Sequence, residues 1–257
     1  MLSDFKLIVR KFPTDYDHIN VYPVADAHVG APEFSEQRFR KWSDTVLADE
    51  RGYVAIAGDM LNNGLKNSKT NVYEETMRPA AQKEYLTDAL SPLRDRILCG
   101  VGGNHEYRSV RESDTDPLYD VFCRLGIGEL YRQNAAFLKL ALGVRRTNTK
   151  NPRQFAYTMA VAHGAGKHKT DRWTEAVEGV DAFITAHTHE ARVTPPSKIR
   201  IDPHNETVLL QDYVHIVCNP LLDYGGYALR GMFTPKGSTR IQVLRLSGTA
   251  KEMQVTT

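Results

Sequence analysis

Cysteine is scarce in this chain of 257 residues, with three copies, Cys99, Cys123 and Cys218. They are widely spaced, odd in number and form no CxxC pair, so neither a disulfide framework nor a thiolate zinc site is suggested. Buried, reduced thiols are the expected state. Charge of one sign is also short. The formal net charge is +2, too small to mark a polyanion-binding protein by itself. No apolar run reaches the roughly 18 residues of a membrane span, and residues 1–12 hold no continuous apolar h-region. A protein with no membrane contact, located in the cytoplasm, is therefore expected. No internal repeat, low-complexity tract or linker divides the chain. What is present is ordinary globular composition, 41% hydrophobic and 25% charged, at a length that one domain over residues 1–257 accommodates.

Apolar periodicity divides the chain into short strands and amphipathic helices. Strands are predicted over residues 5–10, 19–25, 53–57, 97–101, 137–142, 155–162, 181–186, 207–210, 213–218 and 239–246. The turn-rich Pro13, Thr14, Asp15, Tyr16 and Asp17 join the first two. Pro23 is awkward for a central strand and predicts an edge or an irregularity. Helices are predicted over 36–51, with Phe39, Trp42, Val46 and Leu47 on one face, and over 72–90 with a break or restart at Pro79. Two more are predicted over 116–125, with Pro117 in the first turn, and over 171–178. Helices alternate with strands early and strands dominate late. The expected fold class is α/β, two β-sheets packed as a sandwich and flanked by helices.

Five short stretches end these strands in metal-liking residues: Asp26-Ala27-His28, Gly58-Asp59, Gly103-Asn104-His105-Glu106, His163-Gly164 and His187-Thr188-His189. In layered α/β folds the loops at such strand ends converge, so residues remote in sequence meet in one crevice. Asp26, Asp59, Asn104, His28, His163, His187 and His189 supply two carboxylates, an amide oxygen and four imidazoles. That is the number and kind of donors that two adjacent divalent cations need. Four histidines packed without a cation would repel when protonated or leave nitrogens unpaired, and a metal resolves both problems. Mn²⁺ is the expected ion, with Zn²⁺, iron or Ni²⁺ as alternatives for a mixed nitrogen and oxygen site. Two ions about 3.5–4 Å apart make hydroxide available near neutral pH and neutralise a phosphoryl group for in-line attack. Phosphate-ester hydrolysis is the reaction this points to.

The ordered series DxH, GD, GNHE, H and HxH resembles the calcineurin-like metallophosphoesterases over residues 26–189, most of the chain. The resemblance implies a helix-flanked β-sandwich binding two metals. It also implies that Asp26, His28 and His189 hold the first metal, that Asn104, His163 and His187 hold the second, and that Asp59 bridges them. His105 matches the family's non-ligand histidine, which protonates the leaving alkoxide or steadies the transition state. An imidazole of near-neutral pKa can supply a proton at working pH. The chain also departs from the family pattern. Ala186 stands where the family often has Gly, and a positive φ there would make Ala costly. Asn62 or Asn63 fills the place of a second acid or Asn after the GD pair. Gly58-Asp59-Met60-Leu61-Asn62-Asn63-Gly64 lacks the Arg-bearing GDxVDRG stretch of the protein serine/threonine phosphatases, which argues against a phosphoprotein substrate. Residues 219–228, with Pro235 and Gly237, are similar to tails of phage- and prophage-encoded members.

Asn62, Arg108 and His168 are the candidates for contact with substrate. Arg108 and Arg111 follow the GNHE loop, and a guanidinium fork suits phosphate oxygens; surface salt bridges are the alternative. His168 lies in Gly164-Ala165-Gly166-Lys167-His168-Lys169, whose glycines permit close approach and whose lysines suit phosphate. A solvated loop is the alternative reading, and no GK[ST] ends the segment as in a P-loop. His18, His204 and His215 lie outside the motif series and are expected to be structural or solvated. Arg145, Arg146, Lys150 and Arg153 form the densest basic stretch, a hairpin tip or a nucleic-acid backbone contact.

The expected function is a dinuclear-metal phosphoesterase, a phosphodiesterase acting on a nucleotide or nucleic acid. A phosphomonoesterase or small-nucleotide hydrolase is the alternative, and a non-catalytic scaffold on the same fold is the alternative of another class. The stretch after His189 is mostly strand-like, so a large capping domain is not expected there, which keeps small nucleotides in play. All seven ligand positions and His105 are filled, which argues against the scaffold.

Overall fold

The computed structural model describes residues 4–68, 71–143, 154–235 and 237–257. Arg145, Arg146, Lys150 and Arg153 lie outside the described residues. Two six-stranded sheets form the body. The first has the spatial order β1 (Ile8–Lys11), β6 (Ala135–Leu142), β7 (Phe155–Ala162), β8 (Ala182–Thr185), β12 (Val214–Val217) and β9 (Arg192–Thr194). The second runs β14 (Met253–Thr256), β13 (Val243–Ser247), β2 (His18–Val24), β3 (Gly52–Ile56), β4 (Ile97–Val101) and β5 (Tyr131–Arg132). Strands β2 to β5 are parallel to one another, as are β7, β8 and β12. A separate antiparallel ribbon pairs β10 (Ser197–Asp202) with β11 (Thr207–Asp212).

Strand periodicity sorts the side chains into layers. On β2, Ile19 and Val21 join the core between the sheets, whereas Tyr22 and Val24 face helices. On β3, Ala55 points inward and Val54 and Ile56 outward. The outward face of the second sheet is covered by α1 (Glu36–Ala48), α2 (Pro79–Leu90) and α4 (Pro117–Arg124), through Phe39, Trp42, Val46, Leu86, Leu90, Leu118 and Phe122. Ala160 and Phe183 on the first sheet pack with Trp173 of α5 (Lys167–Ala176). The result is helix, sheet, sheet, helix, as expected for the α/β sandwich.

Several boundaries differ from expectation for identifiable reasons. Pro23 sits on an interior strand, yet the pairing of β2 with β13 ends at Val21, so the missing N–H falls where β3 alone pairs in register. Helix α2 starts at Pro79, and residues 72–78 are turns and bends. Arg78 before it is extended, at φ −69° and ψ 154°, as the residue before a proline prefers. Leu47 faces outward at 37% exposure. Helix α5 begins at Lys167, four residues earlier than its periodicity indicates, because Gly166 at φ 81° turns the chain into it. Cys99 and Cys218 are buried between the sheets, whereas Cys123 is exposed on α4. The short helix α3 (Glu106–Ser113), which begins inside the GNHE stretch, was not anticipated.

Candidate metal centre

The site forms where the parallel strands end. Asp26 follows β2, Asp59 follows β3 and Asn104 follows β4, each within three residues of its strand. His163 directly follows β7, and His187 comes two residues after β8. Parallel neighbours send their C-terminal ends to the same edge, so both sheets deliver their loops to one place. Backbone bonds continue the ladder past the strands: Asp26 N–H to Gly58 O at 3.1 Å, His28 N–H to Asp59 O at 3.0 Å, and Ala186 N–H to His163 O at 2.9 Å.

Five of these residues adopt positive φ: Asp26 (49°), His28 (47°), Asp59 (50°), His187 (75°) and His189 (54°). Asp and His tolerate this region better than most side chains, though it still costs about 1–3 kcal/mol each. Ala186 is not among the positive-φ residues, so the methyl there carries no such penalty. Gly103 is needed for space, since a Cβ there would collide with the Asp59 carboxylate and amide. Gly58, at φ 85°, meets the Gly102–Gly103 backbone in the same way.

Among the described residues, three groups have donor atoms within 4.8 Å of one another and could hold a metal ion: Asp26, His28 and His189; His28, Asp59 and His105; and Asp59, His163 and His187. Asn104 joins the last group through Oδ1, 2.7 Å from His187 Nδ1 and 3.1 Å from His163 Nε2. Asp59 is common to two groups, with Oδ2 3.1 Å from His163 Nε2 and 3.9 Å from Nε2 of both His28 and His105. Asp26 Oδ1 lies 3.5 Å from His189 Nε2 and 3.9 Å from His28 Nε2. It is buried with no hydrogen-bond partner, which is costly unless a cation faces it. The other oxygen, Oδ2, accepts the His187 N–H at 3.1 Å and so ties the two sheets together. His163 donates from Nδ1 to Ala57 O at 2.8 Å, which aims Nε2 inward. This is the way metal-bound imidazoles are usually oriented. The donor set and the orphaned oxygen both fit divalent metal.

The electrostatics are those of a buried, mutually dependent cluster. For Asp59, burial acts upward, but the imidazoles of His163, His105 and His28 outweigh it and hold the carboxyl below the usual range. For His163, burial acts downward, and Asp59 and Asp26 overcome it, raising the ring to about 10. His28 goes the other way, to about 3, through burial and then the neighbouring His105. His105 is also lowered, by burial first and partly by Arg108, against the pull of Asp59.

Of the substrate candidates, Arg108 reaches the cluster, donating to His105 Nε2 at 2.8 Å and Asn62 O at 3.1 Å. Asn62 is turned differently. Its side-chain amide donates to Glu75 at 2.7 Å, and its backbone carbonyl meets His105 Nδ1 at 2.8 Å. His168 is exposed on the first turn of α5, with no hydrogen bond or ion pair to the cluster. Arg111 is exposed on α3.

Two further contributors are Glu106, which carried no assigned role in the sequence, and Asn63, which stood there only as an alternative to Asn62 for the place after the GD pair. Glu106 is buried and accepts the backbone N–H groups of Asp59 at 3.0 Å, Leu61 at 3.0 Å and Gly103 at 2.8 Å. Burial, and then the Asp59 charge, push its carboxyl up to about 7. An acid directly after His105 was the available signal. Asn63, at φ 46°, donates through Nδ2 to His105 O and Ser109 Oγ, locking the loop after β3 to α3.

No family model and no curated protein matches the sequence. Among solved structures, the chain is similar to a metallophosphoesterase from Sphaerobacter thermophilus, with TM-score 0.41 and 11% identity over 93% of this chain and 87% of that one. It is similar to a conserved uncharacterized protein of Streptococcus pneumoniae TIGR4, described as a predicted phosphoesterase, with TM-score 0.38 and 10% identity over 93% and 88%. It is also similar to wild-type Vps29 of Entamoeba histolytica complexed with Zn²⁺, with TM-score 0.35 and 12% identity over 93% and 97%.

Proposed function

We propose that this protein is a dinuclear-metal phosphoesterase, acting as a phosphodiesterase on a nucleotide or nucleic acid. The observation that carries the reading is the buried Asp59 carboxylate, shared between a group containing His28 and one containing His163 and His187. Asp26, His28 and His189 would hold one ion, Asn104, His163 and His187 the other, and Asp59 both. When bound, such a pair supplies positive charge for the phosphoryl group and a water acidic enough to attack at neutral pH.

The remaining steps belong to the chain's own groups. His163 and Ala57, and His187 and Asp26, fix the donor geometry through the bonds described above. Arg108, which lies beside His105, would meet a non-bridging phosphate oxygen with its fork. His105 stands at the cluster's edge and offers Nε2 as the atom that delivers a proton to the leaving oxygen. Asn104 is exposed at the opening, so the site is reached from solvent.

The test is hydrolysis of bis-p-nitrophenyl phosphate beside p-nitrophenyl phosphate, after chelation and re-addition of Mn²⁺, Zn²⁺, Mg²⁺ or Ni²⁺. Metal-restored cleavage of the diester with little of the monoester is expected. Preferential cleavage of the monoester would replace the diesterase reading. Failure with every metal, together with no bound metal by elemental analysis, would sink the enzyme reading and favour a scaffold.

A further inference from the structure

The ribbon β10–β11 is amphipathic in an unusual sense, with its apolar side turned to solvent. The register pairs Ile199 with Leu210 and Ile201 with Val208. Period-two alternation puts these four on one face, as two directly opposed cross-strand pairs. They are 74%, 74%, 72% and 70% exposed, respectively. Lys198 and Arg200 lie on the other face, and Lys198 Nζ donates to the carbonyls of Thr174 and Glu175 at 2.8 and 3.2 Å near the end of α5. The charged face therefore turns toward the body at its base and the apolar face turns away. A two-stranded ribbon is marginal by itself in water, and these side chains make a contiguous patch of the kind that marks a contact surface.

We propose that this face is where two copies of the chain associate about a two-fold axis. Area supports the choice. Four side chains at this exposure present on the order of 500 Å², so two copies face to face bury on the order of 1,000 Å², where specific interfaces begin. Charge supports it as well. Between the Ser197–Asp212 bond at the base and the turn at the tip, the face carries no charged group. It offers nothing to a polyanion or charged peptide but complements its own image, as a two-fold contact requires. Asp202 and Glu206 at the tip would be repelled by an anionic bilayer.

The experiment is sedimentation equilibrium of the full chain across micromolar concentrations. Wild type is expected at twice the chain mass, dissociating on dilution. Ile201→Lys and Leu210→Lys are expected at the single-chain mass, with circular dichroism unchanged. Leu209→Lys, on the opposite face, is expected to stay paired. A wild type at single-chain mass throughout, or a pair that survives both substitutions, overturns the proposal. So does a single-chain protein that co-sediments with phosphatidylcholine vesicles, which would assign the face to a bilayer. Should the lysine variants fail to fold, Ile201→Cys decides. Oxidation is expected to give a covalent two-copy species beyond what Cys123 gives in wild type, and its absence overturns the interface.

Discussion

Arg108 donates to His105 Nε2 at 2.8 Å, and His105 Nδ1 lies 2.8 Å from the Asn62 carbonyl. A guanidinium cannot accept, so this arrangement holds His105 neutral with its proton on Nδ1. A phosphate oxyanion is a stronger acceptor for the same fork. Substrate binding would draw Arg108 away and free Nε2 to take up a proton from solvent, the proton it then delivers to the leaving oxygen. Arg108→Gln is expected to raise KM for the diester about tenfold, worth about 1.4 kcal/mol, with a smaller change in kcat. Steady-state kinetics test this, and an unchanged KM would restrict Arg108 to supporting His105.

Substituting His105 separates proton delivery from metal binding. His105→Asn is expected to keep its metals while losing roughly 10²–10⁴ in kcat on esters with poor leaving groups. Esters with good leaving groups should suffer less. Loss of metal in this variant, measured by elemental analysis, would make His105 a ligand instead.

Asp59→Asn removes the charge shared by the two halves of the cluster. The fold should survive, since strands β3 and β4 on either side are undisturbed. Fewer than two metals per chain and a loss of about three orders of magnitude in turnover are expected, the scale of a central catalytic group. Full metal-dependent turnover in the variant would rule out a dinuclear arrangement.

Glu106→Gln tests the clamp between the loops after β3 and β4. A glutamine has one acceptor oxygen where three N–H groups converge, so at least one is left facing an amide NH₂. The expected cost is about 1–3 kcal/mol in urea unfolding, accompanied by weaker metal binding by calorimetry. Metal affinity unchanged alongside lowered stability would confine Glu106 to the fold.

His215 gives a pH signature separate from the site. It is buried, bonds to Thr185 Oγ1 at 2.8 Å, and is lowered to about 4 by burial and then by Arg192. Its unfolded pKa near 6.5 is higher. Between these values the unfolded chain binds more protons, so stability is full above about 6.5 and is lost as pH falls toward 4. The loss is on the order of 3 kcal/mol. His215→Gln should flatten this part of the stability profile relative to wild type, as thermal melts from pH 7 to 4 would show.

Particular residues explain what could be read in advance. Strand β4 was legible to the residue because Ile97, Leu98, Cys99 and Val101 form an apolar run ended by glycines. The meeting of Asp26, Asp59, Asn104, His163 and His187 was legible because each follows a strand. Helix α3 was hidden because its sequence, rich in Glu, Arg and Ser, packs chiefly through Glu106 and Ser109. Apolar periodicity does not see such a helix. The side-chain direction of Asn62 depends on Glu75, thirteen residues away, and no local pattern encodes that. Leu47 follows helical spacing but falls at the margin of the stripe that α1 buries.

The five positive-φ residues of the cluster carry an evolutionary consequence. Glycine at any of positions 26, 28, 59, 187 or 189 would relieve a conformational penalty while deleting a donor atom. Selection for thermal robustness alone would thus drift toward an inert protein at these places, and only selection on chemistry opposes it. Lineages that dispensed with turnover would be expected to record the change there first, as aspartate and histidine replaced by glycine at bends whose shape stays the same.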